Sequence, residues 1–145
     1  MTFTMEFFVA CVPPTANHQR KRIVRVGGFS KLADKPELTA AKAMLDSLLQ
    51  PHQPMRPVEG PVRLEVEFTW PWRKSETKKR RALGRVYHTT KPDGSNAIKT
   101  LEDRLTAMLF IEDDKAVADL RVRKFWGDQP GIFVRITALE EAPTA

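Results

Sequence analysis

The sequence lacks the features that mark secreted and membrane-spanning proteins. It has one cysteine among 145 residues, Cys11, so no disulfide can form within the chain and a reducing compartment is expected. Its N-terminal apolar run, residues 7–12, is too short to cross a bilayer and has no basic segment before it, so we interpret it as a strand. These absences predict a cytoplasmic protein.

Acidic residues are fewer than basic residues in this chain. The chain has 18 Asp and Glu against 24 Lys and Arg, which gives a net charge of +6 and a sequence pI near 9.7. The basic residues concentrate around positions 20–25 and 73–91. Such a distribution suits a polyanionic partner, either nucleic acid or an anionic membrane surface. A solvated basic loop without a partner is the alternative.

Alternating apolar and polar residues predict the strands. The clearest alternation covers residues 62–70, and shorter ones cover 3–11, 116–123 and 132–136. The pair Gly27-Gly28 lies between two further apolar runs and predicts the turn of a small hairpin. Residues 51–61 and 77–85 are expected to be loops.

Two segments have the apolar spacing of helices. One follows Pro36 and carries Leu38, Ala41, Leu45, Leu48 and Leu49; the other carries Ile98, Leu101, Leu105, Met108 and Leu109. Strands with one polar face need cover on the other face only. We therefore predict a single α+β domain over residues 1–145. It has two layers, with a mixed sheet of about four strands plus a small hairpin, and two helices packed on one face of the sheet.

The most informative stretch of the sequence is residues 88–99, HTTKPDGSNAIK, which is followed by Glu102-Asp103 and by Glu112-Asp113-Asp114. Carboxylate oxygens are the ligands that hard divalent cations prefer. Their concentration in an otherwise basic protein indicates metal-dependent chemistry on a polyanion.

A short connection would let these carboxylates converge. Asp93 comes just before the second predicted helix, Asp103 lies on it, and Asp113 and Asp114 lie between that helix and the next strand. A cation held there would polarise a phosphate oxygen and lower the pKa of a bound water. Lys99 would neutralise charge that develops on the phosphate.

The same residues also have structural interpretations. Asp93 or Ser95 suits the cap of the second helix. Lys99 and Asp103 are spaced for a weak surface ion pair. The pair Asp113-Asp114 is also typical of a solvated turn.

The histidines do not add to this metal site. His18 and His88 have no recognisable metal-ligand spacing between them. We predict that both are exposed loop residues and leave them out of the site.

The spacing of Pro92-Asp93, Asn96, Lys99 and Asp113-Asp114 resembles the RusA family of Holliday junction resolvases. The segment Pro13-Pro14-Thr15-Ala16-Asn17, with the basic residues after it, is similar to the start of that family. The resemblance covers nearly the whole chain and includes the basic strand end at Arg123-Lys124.

The resemblance implies a crossover junction endodeoxyribonuclease. Such an enzyme depends on magnesium, acts as a homodimer, and resolves four-way DNA junctions by paired strand cleavage in recombination and repair. It implies catalytic roles for Asp93, Lys99 and Asp114, and metal binding by Asp93, Asp114, Asp103 and Asp113. A membrane partner is not implied. The residues that we expect to contact DNA are Arg20, Lys21, Arg22, Lys74, Lys78, Lys79, Arg80, Arg81, Lys91 and Asn96.

One position departs from the family pattern. Many members have an aspartate where this chain has Ser95, so a carboxylate is replaced by a hydroxyl or by a bridging water. The alternative function is therefore a protein that binds junctions or other branched DNA with weak or no cleavage. A nuclease acting more generally on branched or flapped DNA is a third interpretation.

Overall fold

A computed structural model of the chain describes residues 3–15, 21–26, 29–34, 36–90 and 94–140, and describes side chains over 3–15, 36–90 and 97–140. The strands are β1 (Thr4–Ala10), β2 (Lys21–Val26), β3 (Phe29–Asp34), β4 (Val62–Pro71), β5 (Arg85–Tyr87), β6 (Val117–Gly127) and β7 (Gly131–Ala138). The helices are α1 (Pro36–Leu49), α2 (Lys78–Arg81) and α3 (Gly94–Ala107). No helix in these described ranges is long and apolar enough to cross a membrane.

The main sheet confirms the predicted α+β fold with a mixed sheet. Its strand order is β1-β7-β4-β6-β5. Strands β4 and β6 pair in parallel, whereas the other neighbours are antiparallel. The predicted hairpin is confirmed as the separate pair β2–β3, although its turn, Gly27-Gly28, falls outside the described residues.

The core lies between one face of this sheet and the two long helices. Alternate residues of β4, including Leu64 and Val66, are at most 4% exposed. They share a continuous cluster with Leu45 of α1 and with Leu101 and Leu105 of α3. Burying a side chain of this size contributes about 1.5–3 kcal/mol, so the apolar stripes hold both helices on this face.

The prediction that residues 77–85 form a loop is wrong. Residues 78–81 form α2, and the Thr77 side chain caps this helix by accepting the Arg80 N–H at 3.2 Å. Gly84, with φ of +84°, then turns the chain into β5. Strand β5 has three residues, too few for its alternation to stand out in the sequence.

The predicted apolar stripe of the second helix extends beyond the end of the observed helix. Helix α3 ends at Ala107, and Leu109 has a φ of +61° and is 54% exposed. The Phe110 N–H donates to the Leu105 carbonyl at 2.9 Å, which closes a left-handed C-terminal turn. Phe110 rather than Leu109 is therefore the buried residue.

Candidate active site

An open groove of about 660 Å3 lies between α3 and the turn that leads into β6. Its lining residues, which we call the acidic groove, are Lys99, Glu102, Asp103, Thr106, Asp113 and Asp114. Four of the residues predicted from the sequence, Lys99, Asp103, Asp113 and Asp114, are thus brought together. The helical spacing of three and four residues places the α3 members on one side of the helix.

The pair Asp113-Asp114 lines the groove at the turn before β6, which confirms the predicted turn. Both residues are exposed, and the Asp113 carboxylate caps a 3-10 turn by accepting the Lys115 N–H at 3.0 Å. The interaction between the two adjoining carboxyl groups lowers the pKa of Asp113 and raises the pKa of Asp114. Opposite shifts of this kind are expected when two carboxyl groups adjoin, because ionisation of one disfavours ionisation of the other.

Glu102, like Thr106, is a groove residue that the site prediction missed. It is partly buried, and burial together with the negative charge of Asp114 raises its pKa. The signal was present in the sequence, because Glu102 is three residues after Lys99 and four before Thr106. Those offsets place all three on one helix face.

Asp103 forms ion pairs with residues other than Lys99, its predicted partner. Its carboxylate lies 3.5 Å from the Lys42 ammonium and 3.4 Å from an Arg104 nitrogen. Arg104 in turn donates to both oxygens of Asp46, at 2.7 and 3.0 Å. The described ion pairs of Asp103 therefore tie α3 to α1 and do not include the predicted partner Lys99.

The donor groups of the acidic groove suit a hard cation but do not complete a site. Its carboxylates and the Thr106 hydroxyl supply oxygen only, and the Thr106 Oγ1 is buried without a hydrogen-bond partner among the described residues. Yet within the described ranges no three His, Cys, Asp or Glu side chains are arranged to hold an ion. Asp93, the remaining predicted ligand, falls outside the described residues, immediately before the first residue of α3.

The predicted DNA contacts between β4 and β5 divide into two groups. In residues 73–85, which we call the basic segment, the buried Glu76 carboxylate pairs with Arg80 at 2.9 Å and with Arg73 at 3.5 Å. The Arg81 guanidinium donates to the Arg73 carbonyl at 2.9 Å. These arginines shape the segment, whereas the exposed Lys74, Lys78 and Lys79 show no ion pair in the part of the chain that the structure describes.

The other predicted contacts are described less completely. Arg20 and Lys91 fall outside the described residues. Lys21 and Arg22 belong to β2, and Ser95 and Asn96 to α3, with only their backbones described. Because α3 begins at Gly94, Ser95 is its second residue and does not occupy the cap position.

His88 does not match its predicted exposure. It is only 3% exposed, and its ring stacks on Trp126 at a centroid distance of 3.9 Å and meets Trp70 at 5.0 Å. The register of the parallel strands places Trp70 opposite Trp126, which creates this aromatic slot. Sequence periodicity could not show it, because the two tryptophans are distant along the chain. His18 falls outside the described residues.

Comparison with known proteins matches the chain to one nuclease family. Residues 12–137 match the family described as endodeoxyribonuclease RusA, and this range includes the acidic groove and the basic segment. An uncharacterized protein of Bacillus subtilis strain 168, YqaN, is 34% identical over 90 residues. That alignment covers 59% of this chain and 63% of YqaN, so it spans less than two thirds of that relative.

Proposed function

Because the chain belongs to the endodeoxyribonuclease RusA family, we propose that it resolves four-way (Holliday) DNA junctions by magnesium-dependent, paired strand cleavage. The observation that carries the proposal is the acidic groove. It combines an exposed lysine with several carboxylates in a chain whose net charge is +6. Such a site suits hydrolysis of a phosphodiester in a polyanion.

The proposed chemistry assigns a separate task to each group. Asp93 and Asp114 would hold the magnesium ion, and Asp113, which caps the turn that begins at Asp114, would support the Asp114 carboxyl. The bound ion supplies Lewis acidity at the scissile phosphate and a water with a lowered pKa. The exposed Lys99 ammonium stabilises negative charge on the phosphate. Asp103 has a secondary part, since Lys42 already partly neutralises it.

A labelled four-way junction tests this proposal directly. With magnesium, we expect nicks at paired positions across the junction, and with a chelator no nicks. A linear duplex containing the same sequence is the matched control and should stay intact. Equal cutting of the linear duplex, or cutting that survives chelation, would contradict junction resolution by a metal-dependent site.

The second candidate is a protein that binds branched DNA without cutting it. It is favoured by one observation, that within the described side chains no acidic group of three is arranged to hold an ion. Replacement of a family aspartate by Ser95 points in the same direction. In the junction assay this candidate predicts a salt-sensitive complex and intact strands at every magnesium concentration.

We further propose that two copies act together. Paired cuts need two active sites related by a two-fold axis, and the chain supplies one acidic groove. The sheet face without helices supports a contact between copies. Its charges are balanced by pairs such as Arg135 with Glu6 and Arg123 with Glu67, and it exposes Phe8 by 44%. A charge-balanced face with an exposed aromatic ring suits a protein surface better than DNA.

Light scattering at micromolar concentration tests the dimer. We expect twice the chain mass for the native protein and the single-chain mass for Phe8→Glu, with α3 and the acidic groove unaffected. A single-chain mass for the native protein, both free and on a junction, would contradict coordinated cleavage.

A further inference from the structure

The edge strand β5 carries an exposed aromatic ring that stacks on a buried one. Tyr87 lies directly opposite Phe125 of β6, and the two rings stack with a centroid distance of 5.2 Å and an interplanar angle of 24°. Phe125 is only 4% exposed, whereas Tyr87 is 65% exposed. Because Phe125 covers one face of the Tyr87 ring, the exposed area includes the opposite face. Tyr87 therefore presents a flat aromatic surface that is supported on one side.

Arginines surround this pair of rings. The Arg85 guanidinium lies over the Phe125 ring at 4.0 Å from its centroid, and the Arg123 guanidinium lies at 5.3 Å. Both arginines also donate to the carboxylate of Glu67, Arg85 at a distance of 3.0 Å. Two guanidinium groups thus share one carboxylate. These three side chains together leave a positive charge close to Tyr87.

The positive charge continues into the basic segment, which ends at Arg85. Its exposed residues Lys74, Lys78 and Lys79 precede β5 by a few positions. The strand order places β5 at one edge of the sheet and β1, which carries Phe8, at the other. Four strand spacings, about 19 Å in total, separate the two edges. The contact between copies that we propose at Phe8 is therefore compatible with an open surface at Tyr87.

We propose that Tyr87 is a stacking site for an unpaired DNA base. A base placed on the free face of the ring would extend the stack of Tyr87 on Phe125, while the adjoining phosphates would meet the positive charge of Arg85 and of the basic segment. Exposed aromatic rings beside basic groups are the means by which proteins bind unpaired strands. The proposal rests on the proposed function and deepens it, since bases at the branch point of a junction leave the helical stack more readily than those of a linear duplex.

Two oligonucleotides with the same backbone charge test this site. One is a short single strand of thymidines, and the other is an abasic strand of the same length. Tyr87→Leu removes the ring but keeps an apolar cover over Phe125, whereas Tyr87→Phe keeps the ring. Phe3→Leu is the matched control, because Phe3 is an aromatic residue of 57% exposure outside this site. Fluorescence anisotropy gives each affinity, in chelator so that no strand is cut.

We expect the native protein to bind the thymidine strand about ten-fold more tightly than the abasic strand, the size expected for one base stacked on an aromatic ring. Tyr87→Phe and Phe3→Leu should keep this preference. Tyr87→Leu should bind both strands equally, with an unchanged salt slope for the abasic strand because the phosphate contacts remain. Equal binding of the two strands by the native protein, or a native preference in Tyr87→Leu, would overturn the proposal.

Two other roles of Tyr87 predict different results. If Tyr87 only covers Phe125, Tyr87→Leu should melt lower and keep the native preference. If Tyr87 belongs to a contact between copies, Tyr87→Leu should also keep the preference but have half the native mass in light scattering. Either result would overturn the proposal. Tyr87→Thr, which suits an exposed strand, replaces Tyr87→Leu if that variant does not fold.

The measurement in chelator also separates this site from the proposed function. If the native protein cuts no junction in the presence of magnesium, junction resolution fails as a proposal. The preference for thymidines over abasic positions still decides whether Tyr87 stacks on a base, because neither oligonucleotide has to be cut.

Discussion

The acidic groove and the basic segment carry opposite charges and differ in how those charges are compensated. In the basic segment, Glu76 pairs with both Arg73 and Arg80 within the segment itself. In the acidic groove, the charge of Asp114 instead contributes to a raised pKa of Glu102. The arginines of the basic segment thus form ion pairs that fix the conformation of the segment itself. In the acidic groove, an added cation or a proton would relieve the repulsion between Asp114 and Glu102.

The two regions also lie at opposite ends of the same strand pair. The basic segment follows Pro71, which pairs with Gly127 at the end of β6, whereas Asp114 precedes Val117, which pairs with Val62. A ten-residue strand such as β4 spans about 30 Å. DNA that contacts both regions must therefore extend along the sheet. Under the proposed function, the basic segment would contribute to binding the DNA arms and the acidic groove to the cut.

The strongest test of this division is to remove charge from the acidic groove alone. Asp114→Asn should lower cleavage by at least about 100-fold, since a neutral amide is a poor ligand for magnesium. Junction binding should stay equal or strengthen, because repulsion of phosphate falls. Gel assays of cutting and binding in parallel provide the measurement.

Asp119→Asn is the matched control for that change. Asp119 lies on β6 outside the groove, where it pairs with Arg63 at 2.8 Å. We expect near-native cleavage by this variant. Near-native cleavage by Asp114→Asn as well would remove Asp114 from the site.

The second test separates the lysines of the basic segment from its arginines. Replacing Lys78 and Lys79 by Ala should weaken binding to every DNA and flatten the slope of log affinity against log salt by about 1.8, for two lost phosphate contacts. Melting should be unchanged, since both side chains are exposed.

Replacing Arg80 and Arg81 by Ala should instead lower the melting temperature, because Glu76 loses a partner in a buried position. The salt slope should change less than for the lysine pair. A native slope in the Lys78 and Lys79 variant would show that these lysines make no contact with DNA.

The third test concerns the one missing carboxylate. Ser95→Asp should lower the magnesium concentration for half-maximal cutting several-fold, because an anionic oxygen binds a hard cation better than a hydroxyl does. Ser95→Ala should keep part of the activity. Asp in the first turn also stabilises α3 through the helix dipole, so melting curves in chelator must be compared. The same magnesium dependence in all three proteins would exclude Ser95 as a ligand.

The smallest expected effect is on stability. The folded-state pKa of Glu102 is raised above its ordinary 4.5, so its ionised form destabilises the fold at neutral pH, and this cost disappears once the pH falls below 4.5. Without metal, Glu102→Gln should therefore melt slightly higher at pH 7 and equally at pH 4. Magnesium should raise the melting temperature of the native protein more than that of the variant. Equal melting at pH 7 would show that the groove carboxylates do not repel each other.

Much of the fold could be predicted from the sequence because its core elements are regular. The alternating apolar residues of β4 and the apolar stripe of α1 arise because each element buries one face in the core between sheet and helices. Elements that span little more than one period could not be found in this way. The three residues of β5 and the four of α2 are specified by a cap at Thr77 and a turn at Gly84, which are local contacts without periodicity.

The positions of site residues could be predicted where helix geometry or a sequence motif determines them. The offsets between Lys99 and Asp103 placed both on one side of α3, and the groove confirms this. Pairing across the chain was not predictable, because Lys42 reaches Asp103 only through packing of α1 on α3. The burial of His88 was missed for the same reason, since strand register supplies its aromatic neighbours.

The parallel pairing of β4 with β6 has a consequence for how the protein folds. Residues 72–116 form the crossover between these two central strands, and they carry the basic segment and the acidic groove. Closing so long a connection is slow, because its entropy is lost before the strand pair forms. Until that closure, Asp113 and Asp114 have no fixed position relative to α3. We therefore expect the chain to become competent for DNA cleavage only at a late step of folding, after the centre of the sheet has assembled.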